Sequence, residues 1–169
     1  FTFIFTMLIV LLAPICSFAA SEVNFPIYSK GAVLIEASTG KVLYGKNENE
    51  KLYPASTTKI LTAIIALEKY NLNDKIKANR SAIIAIPSGY SNAAIQPDEE
   101  LTVQELLELF LIHSANEVGY ILAEDMSGNI ENFATLMNQK AAEIGCKNTH
   151  FTNPSGIHDA EHYSTAYDM

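Results

Sequence analysis

Apolar residues do not fall evenly along this chain, and their spacing predicts most of the elements. Gly31 to Ala37, GAVLIEA, is apolar and β-branched. Lys41 to Gly45, KVLYG, is a second short run of the same kind, and Ser38-Thr39-Gly40 between them has turn chemistry. The pair predicts a β-hairpin. The polar stretch Asn47 to Lys51 follows as a loop. Pro54 then precedes STTKILTAIIALEKY, a helical run closed by Asn71 and Asn73. Its apolar positions Ile60, Ile64, Ile65 and Leu67 almost encircle it, which predicts a buried helix.

Residues 81 to 98 are dense in Ser, Gly, Pro and Asn and predict a loop holding at most a turn of helix. Thr102 and Glu105 have the spacing of a capping box, with LLELFLIH following as helix. Ser114-Ala115-Asn116 interrupts or bends that helix. Glu117 to Met126 continues helically until Gly128. Ile130 to Ile144 is a further helix, with Gly145 placed to terminate it. Thr152-Asn153-Pro154-Ser155-Gly156 is a turn cluster. The order is two strands, a buried helix, then a mostly helical middle. A lone hairpin is not a stable sheet, so the expectation is a truncated chain whose remaining strands lie beyond Met169.

The first nineteen residues carry no charged side chain. Pro14 interrupts the apolar run, and Ser17-Phe18-Ala19 is a small-x-small cleavage pattern, so residues 1–19 are expected to be a signal peptide that lacks its own beginning; an uncleaved anchor is the alternative. Ile15 is too bulky to precede a lipidated Cys16. Removing that segment leaves Cys146 as the single cysteine, with no intramolecular disulfide to form. The chain has 169 residues, enough for one domain of ordinary size. It is 49% hydrophobic, so it can build a core, and its net charge is −8. An acidic chain with no cluster of Lys and Arg is a poor match for nucleic acid, whose phosphates call for positive charge.

The chemistry is concentrated in PASTTKI, residues 54 to 60. Ser56 and Lys59 are three apart and share a helix face. A serine hydroxyl is a poor nucleophile until a base takes its proton, and a desolvated lysine can be that base. Free N–H groups at the helix start suit an oxyanion. Alone, S-x-x-K is weak, because a serine in a first helical turn is commonly a cap. Ser114 and Asn116 add a hydroxyl able to relay a proton and an amide able to donate and accept. His150, His158 and His162 have a spacing compatible with zinc, but the segment is loop-like and no Cys, Asp or Glu completes a set. Packing is the simpler reading of His162, and a packed or solvent-facing role that of His113. Glu117 is most simply an acid favoured by the helix dipole. Tyr53 and Tyr90 serve packing or line a cleft.

S-x-x-K followed by serine-x-asparagine is the pattern of penicillin-binding proteins and class A β-lactamases. Here the flanking text is more specific than the triplets. AVLIEASTGKVLYGKNENEKLYPASTTKILTAIIALE resembles the hairpin and active-site helix of the serine-type D-Ala-D-Ala carboxypeptidases, the low-molecular-mass penicillin-binding proteins of peptidase family S11. LLELFLIHSANEVGYILAE resembles their second motif, and KNTHFTNPSGIHDAEHYSTAYDM the segment after it. The likeness covers Val23 to Met169.

The resemblance implies an α/β (α+β type) β-lactamase/transpeptidase-like fold, an antiparallel sheet flanked by helices with a helical subdomain. Residues 20–169 would be the N-terminal part of that domain, ending before the third-motif strand. By the same resemblance Ser56 is the acylated nucleophile, Lys59 its base, Ser114 the proton relay, and Asn116 the residue that holds substrate and Lys59. The implied reaction removes the terminal D-alanine from peptidoglycan stem peptides through an acyl-enzyme, and β-lactams acylate the same serine. No metal or cofactor is implied. An exported protein follows, at the outer face of the bacterial cytoplasmic membrane or in the cell wall space, with possible peripheral membrane contact through a C-terminal tail not in this sequence. No K-T-G occurs; Thr39-Gly40-Lys41 belongs to the hairpin turn. The fragment alone is therefore expected to be inactive. A β-lactamase on the same scaffold is the near alternative, with Glu99 and Glu100 before the second motif where the class A glutamate should follow it. A non-catalytic penicillin-binding sensor is the other.

Overall fold

The computed structural model describes residues 26–169. The expected signal peptide, residues 1–19, and Cys16 lie outside the described residues. No helix among the described residues is long and apolar enough to cross a membrane.

Strands β1 (Ala32–Ile35) and β2 (Val42–Lys46) form the expected antiparallel hairpin, with Val33 opposite Gly45 and a register shift after Leu34. Gly40 takes a positive φ of 71° in the turn, where a side chain would be strained. A 3-10 turn, Ala55–Thr58, leads directly into α1, Lys59–Lys69. The next two strands were not legible as such. β3 (Lys75–Lys77) and β4 (Glu100–Thr102) are three residues each and pair antiparallel, with Ile76 opposite Leu101. They enclose α2, Arg80–Ile84, and the long loop after it. Only Ile76 of the first of these strands is buried, and so short a segment cannot announce itself by alternation.

The helical middle follows the sequence closely. Thr102 Oγ1 accepts from the Glu105 N–H, and the Glu105 carboxylate accepts from the Thr102 N–H, completing the capping box of α3, Val103–Leu111. The chain breaks at Ser114, which takes a positive φ of 57°, and restarts as α4, Asn116–Ser127. Gly128, at φ 80°, ends that helix in the left-handed conformation. α5 runs from Ile130 to Glu143, capped by Asn129 Oδ1 on the Asn132 N–H.

Helix α1 lies between two apolar clusters. Ala63 and Ala66 face one, with Val103, Leu106, Phe110, Val118 and Leu122. Leu61 and Ile65 face the other, with Phe133, Met137 and Phe151. The expectation of burial on all sides is corrected here. Ile60, Ile64 and Leu67 are exposed, at 50%, 37% and 53%. They fall at i, i+4 and i+7, a single stripe that no described element covers. The helix is wide in apolar surface because it packs on two sides and carries a third stripe that stays open.

Candidate active site

The turn that carries Ser56 is bent by its neighbour. Ala55 sits at a positive φ of 48°, and Thr57 donates both its N–H and its Oγ1 hydrogen to the Pro54 carbonyl. This places Ser56 one turn ahead of Lys59, at the head of the buried side of α1. Lys59 is 2% exposed.

All four residues singled out from the sequence converge. Lys59 Nζ lies 3.3 Å from Ser56 Oγ and 2.8 Å from Asn116 Oδ1. Ser114 Oγ lies 3.0 Å from Ser56 Oγ on its other side. A third partner of the lysine was not foreseen: the backbone carbonyl of Ser155, 2.8 Å from Nζ. The Phe110 ring centroid is 5.4 Å away and closes the apolar side. Burial in these surroundings pushes the lysine's pKa down from 10.5 to about 8.

The donor and acceptor count has a chemical consequence. The Ser155 carbonyl can only accept. Asn116 presents its oxygen to the lysine, because its Nδ2 donates to the Ser91 carbonyl at 2.8 Å. A neutral amine has two hydrogens and one lone pair. With both hydrogens engaged on Asn116 Oδ1 and Ser155 O, the lone pair is left for the Ser56 hydroxyl. The arrangement can therefore draw a proton from Ser56 without a metal or a histidine.

Ser155 is held by a turn of its own. Asn153 Oδ1 accepts from the N–H groups of Ser155, Gly156 and Ile157, at 3.2, 2.8 and 3.1 Å, and its Nδ2 donates to the Ile157 carbonyl at 2.7 Å. Thr62 Oγ1 fixes the neighbouring Pro154 carbonyl to α1 at 2.7 Å. The turn cluster was visible in the sequence. Its target was not, since a carbonyl carries no side-chain signature.

His162 is buried, 2% exposed, and does more than pack. Its Nδ1 accepts from the Thr152 N–H at 3.1 Å, so the hydrogen sits on Nε2, which donates to Thr58 Oγ1 at 2.8 Å. Burial lowers its pKa from 6.5 to about 4. Among the described residues no group of three or more His, Cys, Asp or Glu is placed to hold a metal. Tyr53 is 60% exposed and Tyr90 37%. Glu117 stands in the first turn of α4, as expected of a helix-start acid, and is also buried, 2% exposed, with Oε1 accepting from the Ala93 N–H at 2.6 Å.

Comparison with known proteins shows the family. The peptidase S11 family, described as D-alanyl-D-alanine carboxypeptidase, matches residues 17–169. The D-alanyl-D-alanine carboxypeptidase DacF of Bacillus subtilis is 46% identical over 146 residues, covering 83% of this chain and 37% of its own length. Among solved structures, the D-alanyl-D-alanine carboxypeptidase DacD of Francisella tularensis superposes with a TM-score of 0.78 at 32% identity, over 86% of this chain and 36% of that one. Penicillin binding protein 5 of Haemophilus influenzae does so with a TM-score of 0.77 at 31% identity, over 85% and 43%. The fold is thus part of the β-lactamase/transpeptidase-like fold, and the chain spans less than half the length of these relatives.

Proposed function

This chain belongs to the peptidase S11 family of D-alanyl-D-alanine carboxypeptidases, and from that membership we propose that it comes from a serine-type D-Ala-D-Ala carboxypeptidase acting on peptidoglycan stem peptides. Residues 20–169 are then the N-terminal part of the penicillin-binding peptidase domain. The observation that carries the reading is the lysine amine set between Ser56 Oγ, Asn116 Oδ1 and the Ser155 carbonyl.

In this reading Ser56 Oγ attacks the carbonyl carbon of the penultimate D-alanine, and its proton passes to Lys59 Nζ. Collapse of the tetrahedral intermediate breaks the C–N bond. Ser114, bonded to Ser56 Oγ, gives its proton to the departing amine and takes in its place the one held by Lys59, so free D-alanine leaves and the lysine returns to the free amine. The ester on Ser56 is then hydrolysed by water, with the lysine amine again accepting a proton. Asn116 holds the lysine and offers its amide to the substrate. A β-lactam enters by the same attack, but its leaving amine stays tethered, so the ester persists. Export to the cell wall space, cleavage of residues 1–19 and any peripheral membrane contact through a further C-terminal segment belong to the same proposal.

The test is acylation by a labelled penicillin, with mass spectrometry to place the label and a D-Ala-D-Ala peptide to follow D-alanine release. Label on Ser56, slow loss of label and free D-alanine are expected. Rapid loss of label would make the protein a β-lactamase, lasting label without peptide turnover a sensor, and no label on Ser56 would end the proposal.

A further inference from the structure

The proposed chemistry leaves one buried carboxylate unused. Glu117 follows Asn116 directly, yet its side chain does not turn back to the site. Its Oε1 takes the Ala93 N–H at 2.6 Å, and its Oε2 is buried with no protein partner. It lines a cavity of about 300 Å³ together with Ile83, Pro87, Asn92 and Ile95. The bond to Ala93 is thus the one hydrogen bond the described residues give this carboxylate. A carboxylate withdrawn from water at this cost calls for a reason.

The reason lies two residues before Ala93. The Ser91 carbonyl accepts twice from Asn116, from the backbone N–H at 2.9 Å and from Nδ2 at 2.8 Å. That second bond decides which end of the Asn116 amide faces Lys59. A carbonyl cannot donate, so Nδ2 must turn to Ser91 and Oδ1 to the lysine. Were the amide reversed, its N–H₂ would confront the lysine hydrogens and the Ser91 carbonyl would lose a donor. The amide orientation therefore depends on where the Ser91 carbonyl stands. Ser91 lies in the long loop between α2 and β4, where Ala94 is held at a positive φ of 55°. Glu117 pins this loop to α4 at Ala93.

Resting on the proposed function, we propose that Glu117 is a positioning residue: by clamping the loop at Ala93 it holds the Ser91 carbonyl against Asn116, and so keeps Asn116 Oδ1 directed at Lys59. Its carboxylate bonds none of Ser56, Lys59, Ser114 and Asn116. Its action passes wholly through Asn116, and this distinguishes it from a residue that only supports the fold.

The experiment measures second-order acylation of Ser56 by a labelled penicillin in the full-length protein. Glu117→Met fills the same space without an acceptor, and Glu117→Gln keeps an acceptor at the same reach. Each is also made in an Asn116→Ala background. The Met variant should acylate on the order of tenfold or more slowly, as the half-buried Ala93 N–H loses its acceptor and the loop its clamp, while Glu117→Gln restores most of the rate. In the Asn116→Ala background Glu117→Met should cost nothing further. Equal loss in both backgrounds would show a general structural role and overturn the inference, as would a folded Glu117→Met variant with the wild-type rate. If Glu117→Met does not fold, a folded Glu117→Gln variant slowed tenfold would also overturn it. Failure of the wild-type protein to take label on Ser56 would instead defeat the proposed function.

Discussion

Gly156 lies so close to the carbonyl of Ala55 that a Cβ built on it would stand 1.8 Å from that oxygen. Gly156 also holds a positive φ of 82°. It follows Ser155, whose carbonyl contacts Lys59, and Ala55 precedes Ser56. One glycine therefore joins the two backbone segments that fix Ser56 and Lys59, the proposed nucleophile and base. Gly156→Ala would force them apart and strain a left-handed residue by about 1–2 kcal/mol. A displacement of about 1 Å at a reacting centre is enough for a hundredfold loss of rate. Acylation by penicillin should fall on that order, with the protein still folded by circular dichroism. A folded variant acylating at the wild-type rate would remove Gly156 from the argument.

If Lys59 is the base proposed above, it sets the pH dependence of acylation. Burial brings its pKa to about 8. Acylation should rise with pH through an inflection near 8 and level off above it. Stability should also rise with pH, since the unfolded lysine keeps its proton to about 10.5 while the folded one releases it near 8. Between these values the unfolded chain binds more protons, so raising the pH favours folding, by on the order of 3 kcal/mol across the window. Denaturant unfolding from pH 7 to 10 should show the gain in the wild type and lose most of it in Lys59→Met. An acylation inflection near the ordinary lysine value would contradict the buried amine.

How much of this was legible beforehand divides by range. Thr102 and Glu105 are three apart, so a capping box is written in adjacent residues. Ser56 and Lys59 share one turn for the same reason. Ser114 and Asn116 came from the order of motifs and the resemblance they carry; the 3.0 Å and 2.8 Å contacts to Ser56 and Lys59 needed the fold. Ser155 and Ser91 were missed as site residues because each contributes a carbonyl, which every residue has. Glu117 was placed correctly at the start of α4, but its burial and its bond to Ala93 were not legible, because that partner lies 24 residues away. The α1 helix was expected to be buried all round because periodicity reports apolar faces and cannot say whether each is covered.

Asn153 should matter to the site although it touches none of its side chains. Its oxygen gathers three N–H groups from the turn that presents the Ser155 carbonyl. Asn153→Ala leaves those donors in a buried loop, at a cost of about 2 kcal/mol or more. Asn153→Asp keeps the acceptor and loses the Nδ2 donations, the 2.7 Å bond to the Ile157 carbonyl and the longer 3.4 Å contacts to Thr152 Oγ1 and His162 Nδ1. Thermal melts should rank wild type, Asp, then Ala, and acylation rates should follow the same order. Rates that stay level while stability falls would show that the Ser155 carbonyl is held by other means.

His162 ties the last described segment to the turn that carries Ser56, through its bond to Thr58. The bond uses a neutral ring, with Nδ1 accepting and Nε2 donating, and burial lowers the ring's pKa to about 4. The unfolded chain takes up a proton near 6.5. Between the two values the unfolded state binds more protons, so stability rises with pH across the window and is lost as pH falls from 6.5 toward 4. The span corresponds to on the order of 3 kcal/mol. Carboxylates also titrate there, so the informative quantity is the difference between wild type and His162→Gln. Denaturant unfolding at pH 7 and pH 4.5 should show the wild type losing the more on acidification. Thr58→Val should weaken the protein at pH 7 by about 1–3 kcal/mol, because the buried Nε2–H is left without an acceptor. Equal acid sensitivity in wild type and His162→Gln would mean that the ring accepts its proton in place, and the link between the two segments would have to rest on the Leu52–Ser164 bridge instead.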